Sequence, residues 1–412
     1  MEDSYRDVIV RNLADSERHA FTNETQTPLV IEAKNHKSLE FLHSLMKENS
    51  SIIISDVEKY GAVLFRGFDV RSPKDFENQI LSIHGMKGMN NVMMSEPGRI
   101  IVDGTRYVMY TNKYFKTGGT LSPVGGFHCE NYYVPDVPRF ISFFCERASF
   151  FGGETGLINT ARLYDGLPNE LKDKLEKQAC LVKAFSISEI KNRYHVTDNY
   201  LKGFLLKNGM RIIDHMGNEY AIMYKPSVIT HPATKERALN INLSAELNKF
   251  GLYKELLNEF LPDYSSLQWS VHRFAWRFPG ATDAIFLVSN PMALWIYCYS
   301  HLKRLFNINH RNKIPDVDGL RVGDIFEPDD VKLIAKLMRR HYSSFLWRRG
   351  DFIIIDNLKM AHAGMPGFGP RRLKAIICNP TSITYGKGAS GIHTSISDDL
   401  IECLGVKILK NG

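Results

Sequence analysis

Residues 127–130 read Phe127-His128-Cys129-Glu130, and far downstream the chain reads Asp356-Asn357-Leu358-Lys359-Met360-Ala361-His362. Side chains two residues apart on a strand project from one face, so His128 and Glu130 point together and Cys129 points away. A distant histidine, His362, would complete two imidazoles and one carboxylate. That facial set holds Fe(II) and leaves cis positions open for a co-substrate and dioxygen. A His-x-Glu tripeptide is common by chance, so the weight of the reading falls on what surrounds it.

Working outward, residues 60–68 form a short apolar run closed by glycine, read as a buried strand. Residues 36–49 place Leu39, Leu42, Leu45 and Met46 at helical spacing. Ser72-Pro73 opens another helix, serine as cap and proline in the first turn, which is expected to run to His84. Stretches 100–110 and 139–145 are rich in Val, Ile, Tyr and Phe, as strands are, and the Gly/Ser/Pro-rich loop 118–126 leads into His128. Leu167-Pro168 opens a charged helix to about residue 178, and residues 184–228 read as alternating strands and polar turns. The clearest later helices are 244–261 and 328–345, with strands at 349–357 and 372–378. Many short strands with peripheral helices predict a mainly β, α+β architecture of the jelly-roll or double-stranded β-helix kind. The expected division is a peripheral segment at 1–55, a catalytic domain at 56–385 with insertions at about 184–228 and 285–327, and a tail at 386–412.

Composition narrows the class. With 412 residues, 44% hydrophobic and 24% charged, the chain suits a soluble globular protein with an ample core. Its first residues mix Glu, Asp and Arg, unlike a secretory signal. The most apolar run, 284–299, is broken by Asn290-Pro291, too short to span a bilayer, and reads as core. Six cysteines show no CxxC or CxxxC spacing, which predicts reduced, buried thiols in a cytoplasmic protein. The net charge of +7 gathers at Arg339-Arg340-His341, Arg348-Arg349 and Arg371-Arg372 without any zinc-finger, RRM or helix-turn-helix pattern. Solvated surface with one or two anion-binding arginines is the expectation, and nucleic acid is not an expected partner.

Glu130 is followed by Pro138-Arg139-Phe140-Ile141-Ser142-Phe143-Phe144-Cys145-Glu146, Gly152-Gly153-Glu154-Thr155 and Leu163-Tyr164-Asp165-Gly166-Leu167-Pro168. Upstream lies Phe65-Arg66-Gly67-Phe68; downstream lie His231-Pro232-Ala233-Thr234, Leu239-Asn240-Ile241-Asn242, Trp347-Arg348-Arg349-Gly350-Asp351 and Gly369-Pro370-Arg371-Arg372. In this order, from about residue 60 to 380, the chain resembles the TauD/TfdA family, the clavaminate-synthase-like Fe(II)/2-oxoglutarate dioxygenases, and within it a SyrP-like branch.

The resemblance implies that His128, Glu130 and His362 are the iron ligands and catalytic centre, with 2-oxoglutarate as co-substrate. It implies Thr155 as the hydroxyl partner of the distal carboxylate and Arg371 or Arg372 as its cation, since a guanidinium fork matches a carboxylate. Adjacent strand residues face opposite ways, and the pattern of an arginine followed directly by an apolar residue favours Arg372. Glu130 is a carboxylate where halogenating relatives carry a small residue, which implies oxygenation. The substrate so implied is a small molecule, an amino acid or its derivative in specialised biosynthesis, free or tethered to an acidic carrier protein. Hydroxylation is the default outcome; desaturation or cyclisation on the same scaffold, or a cupin-like metal-binding protein without 2-oxoglutarate, are the alternatives. Asp351 reads as a turn former, Asp356 and Asn357 as hydrogen-bonding support for the distal histidine, and His215 and His231 as structural.

Overall fold

Phe352–Asp356 is buried along its whole length, although its side chains alternate between two faces. Such a strand needs cover on both sides. In the computed structural model, Phe352 and Ile354 enter a core with Phe65, Phe76 and Phe144, while Ile353 and Ile355 enter another with Leu64, Phe143 and Leu157. The structure describes residues 5–18, 26–89, 101–111, 126–132, 136–177, 180–194, 197–207, 210–260, 322–365, 367–369, 371–384 and 388–392, with isolated positions between 261 and 321.

The strand lies within an eight-stranded sheet. Its order is Val8–Arg11, Leu29–Ala33, Ala62–Arg66, Phe352–Asp356, Asp136–Arg147, Arg372–Thr384 and Gly388–Ile392, with Met109–Tyr110 paired to Arg372–Thr384. Helices Leu39–Glu48, Ser50–Tyr60 and Pro73–Ser82 cover its outer face through the first of those cores. A second sheet, ordered Tyr342–Phe345, Thr155–Asn159, Met360–Gly364, closes over the inner face. The outer face of this sheet is covered by Leu252–Phe260 and Pro328–Arg340. His128 extends the second sheet by bridges to His362 on one side and Asn242 on the other. Two sheets facing across a shared core, with helices outside both, form the expected double-stranded β-helix. Among the described residues, no helix is long and apolar enough to cross a membrane.

Local signals held where they were strong. Ser38 caps Leu39–Glu48, whose Leu42, Leu45 and Met46 are buried. Ser72 and Asp75 form a reciprocal capping box at the start of Pro73–Ser82. Leu167-Pro168 does lead into a helix, Asn169–Lys177.

Other expectations are corrected. The opening 55 residues are not merely peripheral, because Val8–Arg11 and Leu29–Ala33 are strands of the major sheet. Within 184–228 lie two helices, Ile187–Tyr194 and Asp198–Lys207, whose Ile187, Ile190, Leu201 and Leu205 are buried at helical spacing. The helix expected at 244–261 breaks at Gly251, which adopts φ 85°. The helix expected to reach 345 stops at Arg340, and Tyr342–Phe345 pairs with Thr155–Asn159. Residues 102–108 form a turn rather than a strand, and only Met109–Tyr110 pairs as one. Cys129, Cys145 and Cys378 are buried, whereas Cys298 and Trp295 are exposed. Apart from Trp295, Cys298 and Leu302, residues 284–321, together with the loop 118–125, lie outside the described residues.

Candidate functional site

The two sheets bring His128, Glu130 and His362 together. His128 and His362 are a hydrogen-bonded antiparallel pair: His128 N–H donates to the His362 carbonyl at 3.2 Å and His362 N–H to the His128 carbonyl at 3.0 Å. Directly opposed residues share a face, and their rings lie 4.6 Å apart. His128 Nε2 stands 3.6 Å from Glu130 Oε2, and His362 Nε2 3.9 Å from the same oxygen. One ligand atom from each of the three residues lies within 4.8 Å of the others. His128 Nδ1 is 2.7 Å from the Gly126 carbonyl. A carbonyl only accepts, so Nδ1 carries the proton and Nε2 presents its lone pair, the tautomer a metal ligand needs. Phe143 packs edge-on to His362 at 5.2 Å. The donor set and its arrangement therefore fit Fe(II).

Asn357 supports this centre, though not at the residue expected. Its Oδ1 accepts from Glu130 N–H at 2.6 Å, and its Nδ2 donates to the carbonyls of Glu130 at 3.0 Å and Pro138 at 2.8 Å. One amide side chain thus clamps the backbone on both sides of the carboxylate ligand, not the distal histidine. Asp356 takes the buried His231 as partner, with Nε2 to Oδ2 at 3.0 Å. The Thr234 N–H donates to His231 Nδ1, so Nε2 carries the proton and donates to Asp356, which makes His231 structural as expected.

Beyond His362 the same strand face continues through Gly364, which pairs with Thr155. A side chain at Gly364 would place Cβ 3.1 Å from Arg371 Nη1, so the guanidinium lies over this glycine. Arg371 Nη2 donates to Thr155 Oγ1 at 3.4 Å, and Trp347 Nε1 donates to the same oxygen at 3.0 Å. Burial draws the Arg371 guanidinium down to about 10, against Cys145 and Glu154. It remains a cation at neutral pH. Burial likewise pushes the Glu154 carboxyl up to about 7, opposed by its own backbone N–H and by Arg371. Arg371 Nε is buried with no acceptor among the described residues. A part-buried, under-used guanidinium fork beside a hydroxyl, over the glycine two residues beyond His362, fits a carboxylate such as the distal end of 2-oxoglutarate.

Arg371, rather than the favoured Arg372, is the arginine that reaches Thr155. Leu373, Ala375 and Ile377 face the inter-sheet core, and alternation carried back from them puts Arg371 on that face. Arg372 instead opposes Arg147 across a register shift. The apolar residue after the arginine was thus the inward-facing one, and its neighbour faced elsewhere.

Asp351 is also more than a turn former. Its carboxylate is buried against Arg66, with Nη2 to Oδ2 at 2.6 Å, and Arg66 Nη1 reaches Glu17 at 2.5 Å. Sequence reading missed this cluster and gave Trp347 no role, although Trp347-Arg348-Arg349-Gly350-Asp351 stood out as a motif.

A model of the family described as taurine catabolism dioxygenase TauD, TfdA family, matches residues 23–294. That span includes His128, Glu130 and Thr155; His362 and Arg371 lie beyond it and join the site by geometry. A clavaminate synthase-like protein of Arabidopsis thaliana is 22% identical over 346 residues, covering 83% of this chain and 88% of its own. Among solved structures, a putative alpha-ketoglutarate-dependent taurine dioxygenase from Burkholderia xenovorans is 14% identical, over 94% of this chain and 99% of its own, with a TM-score of 0.47. The structure of AAD-2 in complex with Mn(II) and N-oxalylglycine is 13% identical, over 92% and 99%, with a TM-score of 0.44. With well over half the chain matched by the family model, this protein belongs to the TauD/TfdA family and is an Fe(II)- and 2-oxoglutarate-dependent dioxygenase.

Proposed function

We propose that this dioxygenase holds Fe(II) on His128, Glu130 and His362, seats the distal carboxylate of 2-oxoglutarate on Arg371 and Thr155, and hydroxylates an unactivated C–H bond of an amino acid or its derivative. The observation that carries the co-substrate pose is the Arg371 guanidinium laid over Gly364 and touching Thr155. Bound at the triad, Fe(II) supplies the coupling of 2-oxoglutarate decarboxylation to C–H oxidation.

The chain's own residues bind, orient and exclude water. Gly126 keeps His128 in one tautomer, so no proton must move before the ligand bond forms. Asn357 fixes the backbone from which Glu130 projects. Phe143, Leu157 and Phe345 keep the floor between the sheets apolar, which strengthens each charged contact above it. The carboxylate at Glu130 supports oxygenation over halogenation. The resemblance of 126–168 and 347–372 to SyrP-like enzymes supports an amino-acid-derived substrate, free or tethered to an acidic carrier protein. Desaturation or cyclisation would draw on the same residues.

The test is anaerobic addition of Fe(II) and then 2-oxoglutarate. The visible charge-transfer band of chelated co-substrate is expected in the native protein and not in His128→Ala. Folded native protein without the band would overturn the proposal. Amino acids and carrier-tethered aminoacyl groups are then screened for stimulated succinate release; stimulation only by unrelated molecules would remove the substrate class.

A further inference from the structure

The Thr155 hydroxyl receives two donors and, among the described residues, donates to no acceptor. Trp347 is buried, its ring edge-on to Phe345 at 4.5 Å, and its indole N–H points at Thr155 Oγ1 from 3.0 Å. Arg371 Nη2 approaches the same oxygen from 3.4 Å. Neither an indole N–H nor a guanidinium offers an acceptor. A hydroxyl carries two lone pairs and one proton, so two converging donors leave its O–H to be donated elsewhere. Among the described residues, no hydrogen bond from this O–H is formed.

We propose that Trp347 is a positioning residue that holds the Thr155 hydroxyl as a donor toward the distal carboxylate of 2-oxoglutarate. The inference rests on the co-substrate reading above. With the indole in place, the lone pairs of Thr155 are turned away from the incoming anion and its proton toward it. Without it, the hydroxyl can rotate and set a lone pair against the carboxylate, an arrangement that repels.

The backbone beside the indole is held from two sides. Leu346 N–H donates to the Glu17 carbonyl at 2.7 Å, and Arg66 Nη2 donates to the Leu346 carbonyl at 2.7 Å. Trp347 therefore hangs from a strand end pinned by the buried charge cluster, and its N–H keeps a constant direction.

The experiment is a double-mutant cycle on 2-oxoglutarate affinity, measured by calorimetry on the Mn(II)-loaded full chain. Thr155→Val is expected to weaken binding roughly tenfold, and Trp347→Phe, which keeps an aromatic ring beside Phe345 but loses the N–H, roughly fivefold. In the Thr155→Val background, Trp347→Phe should have no further effect, because the hydroxyl it orients is gone. Binding of 2-oxobutyrate, which lacks the distal carboxylate, should be the same with and without the indole N–H. A Trp347→Phe effect that persists in the Thr155→Val background, or extends equally to 2-oxobutyrate, makes Trp347 merely structural and overturns the inference. If Thr155→Val itself leaves 2-oxoglutarate affinity unchanged, the co-substrate reading of Thr155 fails instead.

Discussion

Arg66 and Arg371 are both drawn into the protein, and the chain treats them in opposite ways. Arg66 is 1% exposed and encircled: Nε and Nη2 meet Asp351, Nη1 meets Glu17, and Nη2 also meets the Leu346 carbonyl. Arg371 keeps a single side-chain hydrogen bond, at 3.4 Å, with Nε buried and unmatched among the described residues. A buried cation costs free energy until acceptors surround it. The arginine satisfied by its own chain is scaffold, and the one with open donors fits the receptor role proposed for it. Two carboxylates, Glu17 beside Arg66 and Glu154 near Arg371, repeat the contrast, whereas burial raises Asp351 despite Arg66. Burial pushes Glu17 up, but Arg11, the Ala14 N–H and Arg66 outweigh it and hold the carboxyl at about 2. Glu154, with less to oppose its burial, sits at about 7.

The largest expected effect breaks the scaffold side. Arg66→Met leaves Asp351 buried without its cation and Glu17 with Arg11 and Arg348 alone, and urea unfolding should show a loss of about 3–5 kcal/mol. A loss under about 1 kcal/mol would mean that the cluster is not scaffold. The receptor side should respond in binding instead. Arg371→Gln should weaken 2-oxoglutarate roughly 100-fold, about 3 kcal/mol, with stability unchanged or slightly raised. Arg372→Gln should stay within twofold, and the reverse pattern would return the role to Arg372.

Stability against pH sharpens the comparison, because the two glutamates have opposite signs. Glu17 titrates lower when folded than when unfolded, so its stabilisation is complete above about pH 4.5 and lost as pH falls toward 2. Glu154 titrates higher when folded, so the native state holds the extra proton between about 4.5 and 7. Its cost is absent below that window and complete above it. Each contribution is about 3 kcal/mol. Unfolding of Glu17→Gln should lose the acid-side slope, and that of Glu154→Gln should lose the fall between pH 4.5 and 7; an unchanged difference from native protein in either window would contradict the assignment. A small effect is expected of Gly364→Ala. Its methyl would press on Arg371 Nη1 from 3.1 Å, which should weaken 2-oxoglutarate two- to fivefold by the same titration, roughly the cost of a shifted hydrogen bond.

Much of the site was legible because its signals are local. The His-x-Glu spacing marked His128 and Glu130, although only His128 pairs as a strand residue and Glu130 sits in a turn, and the Gly152-Gly153-Glu154-Thr155 segment marked the hydroxyl that Arg371 meets. Strong helices were readable through caps, as at Ser38 and Ser72. The failures share a different cause. Only His341 separates Tyr342–Phe345 from the preceding helix, and only its pairing with Thr155–Asn159 makes it a strand. Asp351 follows a glycine and reads as a turn until Arg66, from a strand 285 residues earlier, meets it.

The sequence by itself determined the chemistry available: two imidazoles, one carboxylate, a hydroxyl and a pair of arginines, in an order that resembles one enzyme family. Which arginine faces the core, which backbone Asn357 clamps and which charges Arg66 gathers were decided by the tertiary structure. Alternation says only that neighbours on a strand differ in direction. Which direction is inward depends on the sheet packed opposite and on register shifts such as that beside Arg372, and a buried charge finds its partner only when strands distant in sequence come together.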